Sequence, residues 1–344
     1  MVSASALSDS TSSASLGPPT LRRHSNIAQP SRRRSLRVLV AGGAGFVGSH
    51  LVDQLLAEGH SVVVVDNFIT GAPENLAHIR SRRLRLIRAD VSRTPHAAYD
   101  RVYHLASPAS PDAYGRMAIR TLLVNAVGTK RLLELACKAK AKFLLASTSE
   151  VYGDPQEHPQ QETYWGNVNP IGPRSQYDEG KRFAEALTVA FVRERAADAR
   201  IVRIFNTYGP RMRTDDGRMP SAFITAAVQG LPIPVHGDGT QTRSLCYVAD
   251  TAAGLIAAME NGRPGEVYNI GRPDELSVLD FAEKVRRSAK SSSVIEFVPG
   301  RPEDITRRRP DCRKAARELG WRPKTGFDDG LLKTIEWYRC RLPR

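Results

Sequence analysis

The sequence predicts an α/β fold with a doubly wound parallel sheet and a smaller α/β unit toward the carboxyl end. Short apolar strands alternate with longer apolar-periodic helices, and a glycine-rich turn joins the first strand to the first helix. Acidic and hydroxyl residues follow several of the strands. Because ligands bind at the carboxyl ends of strands in such sheets, we expect these polar residues to gather in one crevice.

The first predicted strand begins at Leu36 with L-R-V-L-V-A and leads into G-G-A-G-F-V-G, which contains Gly42, Gly45 and Gly48. Without side chains there, backbone amides at the helix start can approach a pyrophosphate. The next strand, S-V-V-V-V-D, ends at Asp66, whose carboxylate can accept hydrogen bonds from a ribose diol and repel a 2′-phosphate. The sequence therefore predicts a Rossmann-like nucleotide site that takes NAD in preference to NADP.

Further strands and helices alternate along the chain. We predict strands up to Asp90 and Ala106, a helix through about 117–140, and the strand K-F-L-L-A-S-T-S. The last of these strands ends in a polar cluster that contains Thr148 and Glu150. This cluster is predicted to lie at the ligand-binding edge of the sheet.

Tyr177 and Lys181 are four residues apart on a predicted helix, so their side chains lie on one face. We expect the ammonium group to lower the pKa of the phenol and make it a base for a substrate alcohol. The alternative is a half-buried tyrosine and a solvated lysine on an amphipathic helix. With Thr148 and the glycine turn in the same domain, the catalytic interpretation is favoured.

Composition narrows the class of partner. The chain has 50 Lys and Arg against 36 Asp and Glu, a net charge of +14, but no nucleic-acid motif, so nucleic acid is not an expected partner.

Residues 1–35, rich in Ser, Pro and Arg, are predicted to be a disordered basic tail, with a transit peptide as the alternative. Four widely separated cysteines argue against a metal site or disulfides and favour a cytoplasmic setting. No apolar run is long enough for a membrane span.

Several longer strings resemble one family. H-L-A-S-P-A-S-P, L-A-S-T-S-E-V-Y-G-D-P, Y-W-G-N-V-N-P-I-G-P-R, Y-D-E-G-K-R, R-I-F-N-T-Y-G-P-R-M and G-D-G-T-Q-T-R are similar to strings of UDP-glucuronate decarboxylases, in the extended short-chain dehydrogenase/reductase superfamily. The resemblance runs from about 36 to 340. It implies NAD-dependent decarboxylation of UDP-glucuronic acid to UDP-xylose through a UDP-4-keto intermediate, with internal recycling of NAD, by a homodimer.

The expected domains are an NAD-binding domain at 36–205, with a returning segment at about 243–262, and a UDP-sugar domain at 206–242 and 263–340. By the resemblance, the catalytic residues are Tyr177, Lys181, Thr148, Glu150 and Arg308. The cofactor-binding residues are Gly42, Gly45, Phe46, Val47, Gly48, Asp66, Asn67, Phe68, Thr70, Gly71, Asp90, Val91, Leu105, Ser107, Tyr177, Lys181 and Thr207. The substrate-binding residues are Asn206, Arg218, Arg243 and Tyr247, and no metal is expected. For Arg308, the alternative is membership of a solvated basic run.

The chain departs from the family pattern at three positions. The usual T-x-K-T-N is T-L-L-V-N here, so Leu123 replaces a lysine and Val124 a threonine, while Ala222 stands where an asparagine is common. Ser149 precedes Glu150 where related dehydratases have Asp-Glu. The alternative functions are a UDP-glucuronate 4-epimerase or related UDP-sugar epimerase or dehydratase, and a cofactor-binding protein with little turnover.

Overall fold

A parallel sheet with helices on both faces forms the larger part of the fold. The computed structural model describes residues 34–300 and 305–342. In chain order, the strands are β1 Arg37–Ala41, β2 Ser61–Asp66, β3 Leu84–Arg88, β4 Arg101–His104, β5 Lys142–Thr148, β6 Ala199–Ile204, β7 Thr207–Tyr208, β8 Ile233–His236, β9 Thr242–Arg243, β10 Cys246–Tyr247, β11 Val267–Ile270, β12 Leu276–Ser277, β13 Ile295–Val298 and β14 Arg307–Arg308.

The helices connect these strands or cover their faces. They are α1 Phe46–Ala57, α2 Pro111–Arg116, α3 Ala118–Leu123, α4 Thr129–Ala139, α5 Ser175–Arg195, α6 Met219–Gln229, α7 Val248–Asn261, α8 Val278–Ser288 and α9 Phe327–Arg339. Among the described residues, no helix combines the length and the apolar character needed to span a membrane.

The central sheet has the strand order β11-β6-β5-β4-β1-β2-β3. Its strands are apolar at successive positions because both faces are covered. In β1, Val38 and Val40 pack in one hydrophobic layer with α1 and α7, whereas Leu39 and Ala41 pack in the other with α4 and α5. This arrangement confirms the predicted doubly wound parallel sheet.

The order of the strands reverses at β1, which pairs with β2 on one side and with β4 on the other. The chain leaves β1 at Gly42 with a φ of +81°, and a Cβ at this position would lie 2.6 Å from the backbone nitrogen of Ala106. Only glycine suits that backbone and that approach. A crevice therefore opens at the carboxyl ends of the central strands.

The predicted helix at 117–140 is interrupted. Helices α3 and α4 are separated by a π-helical turn at Val124–Gly128. The Asn125 side chain donates to the Thr121 carbonyl at 2.8 Å and to Ser107 Oγ at 3.0 Å, so it competes with the backbone for the carbonyl one turn earlier. The contact with Ser107 comes from the loop between β4 and α2, so the spacing of residues within the helix cannot predict the interruption.

A smaller part of the chain has its own hydrophobic cluster, which includes Phe223, Phe281 and Leu331 of α6, α8 and α9. It also contains the pair β8–β13 and the small sheet β12-β9-β14. The division into two domains stays a prediction. Strand β11, which pairs with β6 in the central sheet, lies beyond the predicted returning segment 243–262. The predicted tail at 1–35 falls outside the described residues except for its last two.

Candidate active site

A cavity of about 1080 Å³ lies at the carboxyl ends of the central strands. Its lining includes nearly all the residues predicted to bind the cofactor, and all the predicted catalytic residues but one. The lining formed by the described residues leaves out Phe68, Arg243, Tyr247 and Arg308. The crevice expected from the strand ends is therefore where most of the predicted site residues meet.

The glycine turn is closely packed at the amino terminus of α1. A Cβ at Gly48 would lie 2.2 Å from the carbonyl oxygen of Gly42. Helix α1 begins after Gly45, which has no side chain to cap the first amides of the helix, and Phe46, Val47 and Gly48 line the cavity. This cradle fits the pyrophosphate of a dinucleotide.

Two carboxylates follow β2 and β3 in the same cavity. Asp66 accepts hydrogen bonds from the backbone amides of Ala44 at 3.0 Å and Phe68 at 2.9 Å, and burial raises its pKa. Phe68 thus contributes its backbone rather than its side chain. Asp90 accepts a hydrogen bond from the side-chain amide of Asn67 at 3.2 Å. The acceptors fit a ribose diol at this end of the cavity.

Thr148, Tyr177 and Lys181 lie together at the other end. Thr148 ends β5, and its side chain shares a hydrogen bond with Tyr177 of α5. Lys181 Nζ donates to the Ala146 carbonyl at 2.8 Å and lies 5.9 Å from the centre of the Tyr177 ring. All three side chains are buried. The structure therefore brings together the two hydroxyls and the amine that were predicted to act in catalysis.

The expected effect of Lys181 on the tyrosine is wrong for the protein groups alone. Burial raises the pKa of Tyr177 to about 12, although the hydrogen bond with Thr148 acts in the opposite direction. Burial also lowers the pKa of Lys181 to about 8. Burial disfavours the charged form of each group because it removes the hydration that stabilises that form.

Glu150 is held between two arginines in the turn that follows Thr148. Arg308 contacts both carboxylate oxygens, with Nη2 to Oε2 at 3.0 Å, and Arg174 donates to the same Oε2. Burial would raise the pKa of Glu150, but Arg308 and then Arg174 lower it to about 2. The Arg308 side chain is 5% exposed, against 57% for Arg307 and 42% for Arg309. Arg308 is therefore not part of a solvated basic run.

Three residues near this pair were missed by the sequence reasoning. The ring of Tyr114 stacks on the Tyr177 ring, with centroids 5.1 Å apart and planes at 6°. Asp178 Oδ2 lies 3.9 Å from Nε of Arg174. Arg174 and Asp178 flank Tyr177 in the sequence, but this gives no sign that they turn toward Glu150. Tyr114 carries no sequence signal at all.

Comparisons with known proteins identify the family of the chain. The family model described as "NAD dependent epimerase/dehydratase family" matches residues 38–271. The chain belongs to this family. UDP-glucuronic acid decarboxylase 3 of Arabidopsis thaliana is 49% identical over 326 residues, which cover 94% of each chain. UDP-glucuronic acid decarboxylase 1 of Danio rerio is 48% identical over 313 residues, covering 91% of this chain and 75% of the relative.

A solved structure of an epimerase has a similar fold. UDP-glucuronic acid 4-epimerase from Bacillus cereus, in complex with UDP-glucuronic acid and NAD, superposes with a TM-score of 0.81 at 30% identity, covering 89% of this chain and 100% of that one. The predicted resemblance and the predicted cofactor NAD are confirmed.

Of the four residues predicted to bind the substrate, two line the cavity and two are outside the lining formed by the described residues. Asn206 and Arg218 line the cavity. Arg218 donates two hydrogen bonds to the Asp216 carboxylate, from Nε at 2.5 Å and from Nη2 at 3.0 Å. Arg243 is paired in register with Arg308 between β9 and β14. The Tyr247 ring packs edge-on against another tyrosine, with centroids 5.8 Å apart. The substrate-binding roles of all four stay predictions.

The departures from the family pattern lie at the cavity and in the smaller part of the chain. Leu123 and Val124 line the cavity, where Leu123 is 52% exposed, and Arg116 and Arg120 line it too. Ala222, on α6, packs against the smaller hydrophobic cluster. Two of the three departures therefore change the chemistry of the cavity wall.

Proposed function

We propose that this chain catalyses the NAD-dependent decarboxylation of UDP-glucuronic acid to UDP-xylose through a UDP-4-keto intermediate, with internal recycling of NAD. The observation that carries the proposal is the contact of both Glu150 carboxylate oxygens with Arg308, in the turn directly after Thr148. Relatives named UDP-glucuronic acid decarboxylase, about half identical over most of the chain, support it.

Tyr177 is the proposed base for the C4 hydroxyl, with Thr148 sharing its hydrogen bond and Lys181 supplying positive charge behind it. The glycine turn and Asp66 would hold NAD, which would supply a hydride acceptor and donor for C4 and a positive charge near the phenol. Since the protein groups alone raise the pKa of Tyr177 to about 12, added positive charge is what shifts the phenol toward its ionised form.

Glu150 and Arg308 are proposed to serve the loss of carbon dioxide and the protonation of C5. A 4-ketone is β to the C6 carboxylate, so the electrons released by decarboxylation pass into an enolate. The Arg308 guanidinium is a cation suited to stabilising that charge. Because the pKa of Glu150 is about 2, this residue stays ionised and holds Arg308 in place, while a water molecule supplies the proton to C5.

The test is incubation of the purified protein with UDP-glucuronic acid and NAD while carbon dioxide and the sugar nucleotide are both measured. We expect equal amounts of carbon dioxide and UDP-xylose. A C4 epimer without carbon dioxide would instead establish a 4-epimerase, the activity for which the Bacillus cereus enzyme is named. NAD binding without turnover would establish the cofactor-binding alternative.

We also propose that the protein is a homodimer. Helix α3 packs against α5, and together with the π-helical turn these elements leave large apolar side chains exposed: Ile119, Leu122, Val127 and Phe183. Such a face is stabilised when a second copy covers it. We expect Ile119→Glu with Phe183→Glu to give a monomer by analytical ultracentrifugation, and an unchanged dimer would reject this surface. The cytoplasmic location stays a prediction.

A further inference from the structure

Asp178 is a buried carboxylic acid that the proposed reaction does not use. Its side chain is 7% exposed and is not among the described residues that line the cavity. Within the described part of the chain, its Oδ1 has no hydrogen-bond partner. A buried carboxylate in that position is costly unless a cation compensates it. Arg174 is that cation, with Nε 3.9 Å from Asp178 Oδ2.

Arg174 connects Asp178 to Glu150. Its Nη2 donates to Glu150 Oε2, and its Nε lies 3.9 Å from Asp178 Oδ2. At 3.9 Å the Asp178 contact acts through charge rather than a hydrogen bond. Since the guanidinium is planar and rigid, a carboxylate near Nε and a carboxylate at Nη2 together constrain its orientation.

We propose that Asp178 is a positioning residue, which holds Nε of Arg174 and thereby fixes the Glu150 carboxylate against Arg308 for decarboxylation. The inference rests on the proposed function, because it concerns the step in which Glu150 is used. With a charge on Asp178, Arg174 is held by both carboxylates. With a neutral Asp178, Arg174 is held by Glu150 alone, and the two can shift together.

The charges around Asp178 make this contact sensitive to pH. The groups that face it are Glu150, Arg308, Arg174, Glu179, Tyr114 and Tyr177. Burial first and Glu150 second raise the pKa of Asp178 to about 7, against Arg174 and Arg308. Asp178 is therefore charged above about pH 7 and loses its charge as the pH falls through this value. Glu150, with a pKa of about 2, stays ionised over the same range.

The test is Asp178→Asn, which keeps the shape of the side chain and removes its charge. Carbon dioxide release by the full-length protein with NAD and UDP-glucuronic acid is followed between about pH 5.5 and 9. We expect the wild-type kcat to fall on the acid side near pH 7. The variant should lack this fall and have a kcat about tenfold lower at about pH 8, with KM within about twofold.

Glu179→Gln is the matched control. It removes the neighbouring carboxylate on the same helix, where the side chain is 37% exposed and pairs with Arg182 at 3.6 Å. We expect this variant to keep the wild-type kcat at about pH 8 and to keep the acid-side fall, with its midpoint slightly lower because Glu179 raises the pKa of Asp178. An equal effect of the two substitutions would overturn the inference, because any negative charge on α5 would then suffice.

An Asp178→Asn protein with the wild-type kcat and pH profile would also overturn it. If the Asp178 variants do not fold, Arg174→Lys tests the same connection, since lysine lacks the Nε group that Asp178 holds. This variant must lose the acid-side fall, and retention of the fall would reject the inference. Wild-type protein that releases no carbon dioxide overturns the proposed function and the inference together, whereas an unchanged Asp178→Asn beside an active wild type overturns the inference alone.

Discussion

Arg308 and Glu150 are 158 residues apart in the chain, yet the guanidinium of one contacts both carboxylate oxygens of the other. Arg308 reaches this position because β14 pairs in register with β9. The smaller part of the chain therefore supplies the cation for a carboxylate that follows a strand of the central sheet. The proposed chemistry depends on both parts.

Replacing Arg308 with lysine should remove the two-point contact while keeping a positive charge. A lysine ammonium cannot match both carboxylate oxygens as a planar fork does. We expect carbon dioxide release to fall by about 10²-fold, as for the loss of one fixed charge donor. Arg307→Lys, at the exposed neighbouring position, is the control and should stay within about twofold of wild type. Equal rates for the two variants would remove Arg308 from the reaction.

Glu150→Gln should leave two buried arginines without their shared carboxylate. We expect the free energy of unfolding in urea to fall by about 3–5 kcal/mol, as when one partner of a buried ion pair is removed. Glu134→Gln breaks an exposed pair with Lys130 and should cost less than about 1 kcal/mol. A similar small loss for Glu150→Gln would show that the two arginines do not depend on this carboxylate.

The same pair should make the wild-type protein sensitive to acid. The pKa of Glu150 in the folded state, about 2, is lower than the ~4.3 of an unfolded chain. Its contribution to stability is therefore present above about pH 4 and is lost as the pH falls toward 2. Urea unfolding at a series of pH values should show this decline in wild type and a weaker decline in Glu150→Gln. Parallel curves would contradict the assignment.

Tyr177→Phe should abolish the proposed base and leave the fold intact. We expect kcat to fall by about 10³-fold, within the range of lost general-base catalysis. Tyr103→Phe is the matched control, because Tyr103 is fully buried in β4 and no described residue makes a hydrogen bond with its hydroxyl. Its kcat should equal that of wild type. An active Tyr177→Phe would require a different base.

Gly48→Ala should weaken NAD binding. The added methyl group would lie 2.2 Å from the Gly42 carbonyl oxygen, so the turn that approaches the pyrophosphate must open. We expect NAD affinity, measured by calorimetry, to fall by more than about tenfold. A Cβ at Gly115 has no heavy atom of a described residue within 4 Å beyond its immediate neighbours, and Gly115→Ala should bind NAD as wild type does. Unchanged binding by Gly48→Ala would mean that the turn tolerates the displacement.

Much of the fold follows from local patterns in the sequence. The run Ser61–Asp66 is apolar at successive positions because both faces of the sheet are covered, and this pattern is visible without a structure. The interruption at Asn125 was not predictable, because it depends on Ser107 in another segment. Local spacing reports a residue's secondary structure but not the partners that tertiary packing brings to it.

The site divides in the same way. The glycine turn and Asp66 are predictable because their spacing along one strand–helix–strand unit carries the signal. The stacking of Tyr114 on Tyr177 is not, since it joins two helices with no shared pattern. The pKa of Tyr177 depends on burial, which the spacing to Lys181 does not reveal.

The pairing of β11 with β6 limits how this protein can be divided into fragments. A fragment that ends at residue 205 contains β6 but lacks Val267–Ile270, so the main-chain groups of Ile201 to Ile204 that face β11 would be left unpaired. The unpaired main-chain groups of an exposed apolar strand edge can form hydrogen bonds with a strand of another molecule. Such a fragment would tend to aggregate through β6, whereas one extended through residue 270 would keep this edge covered.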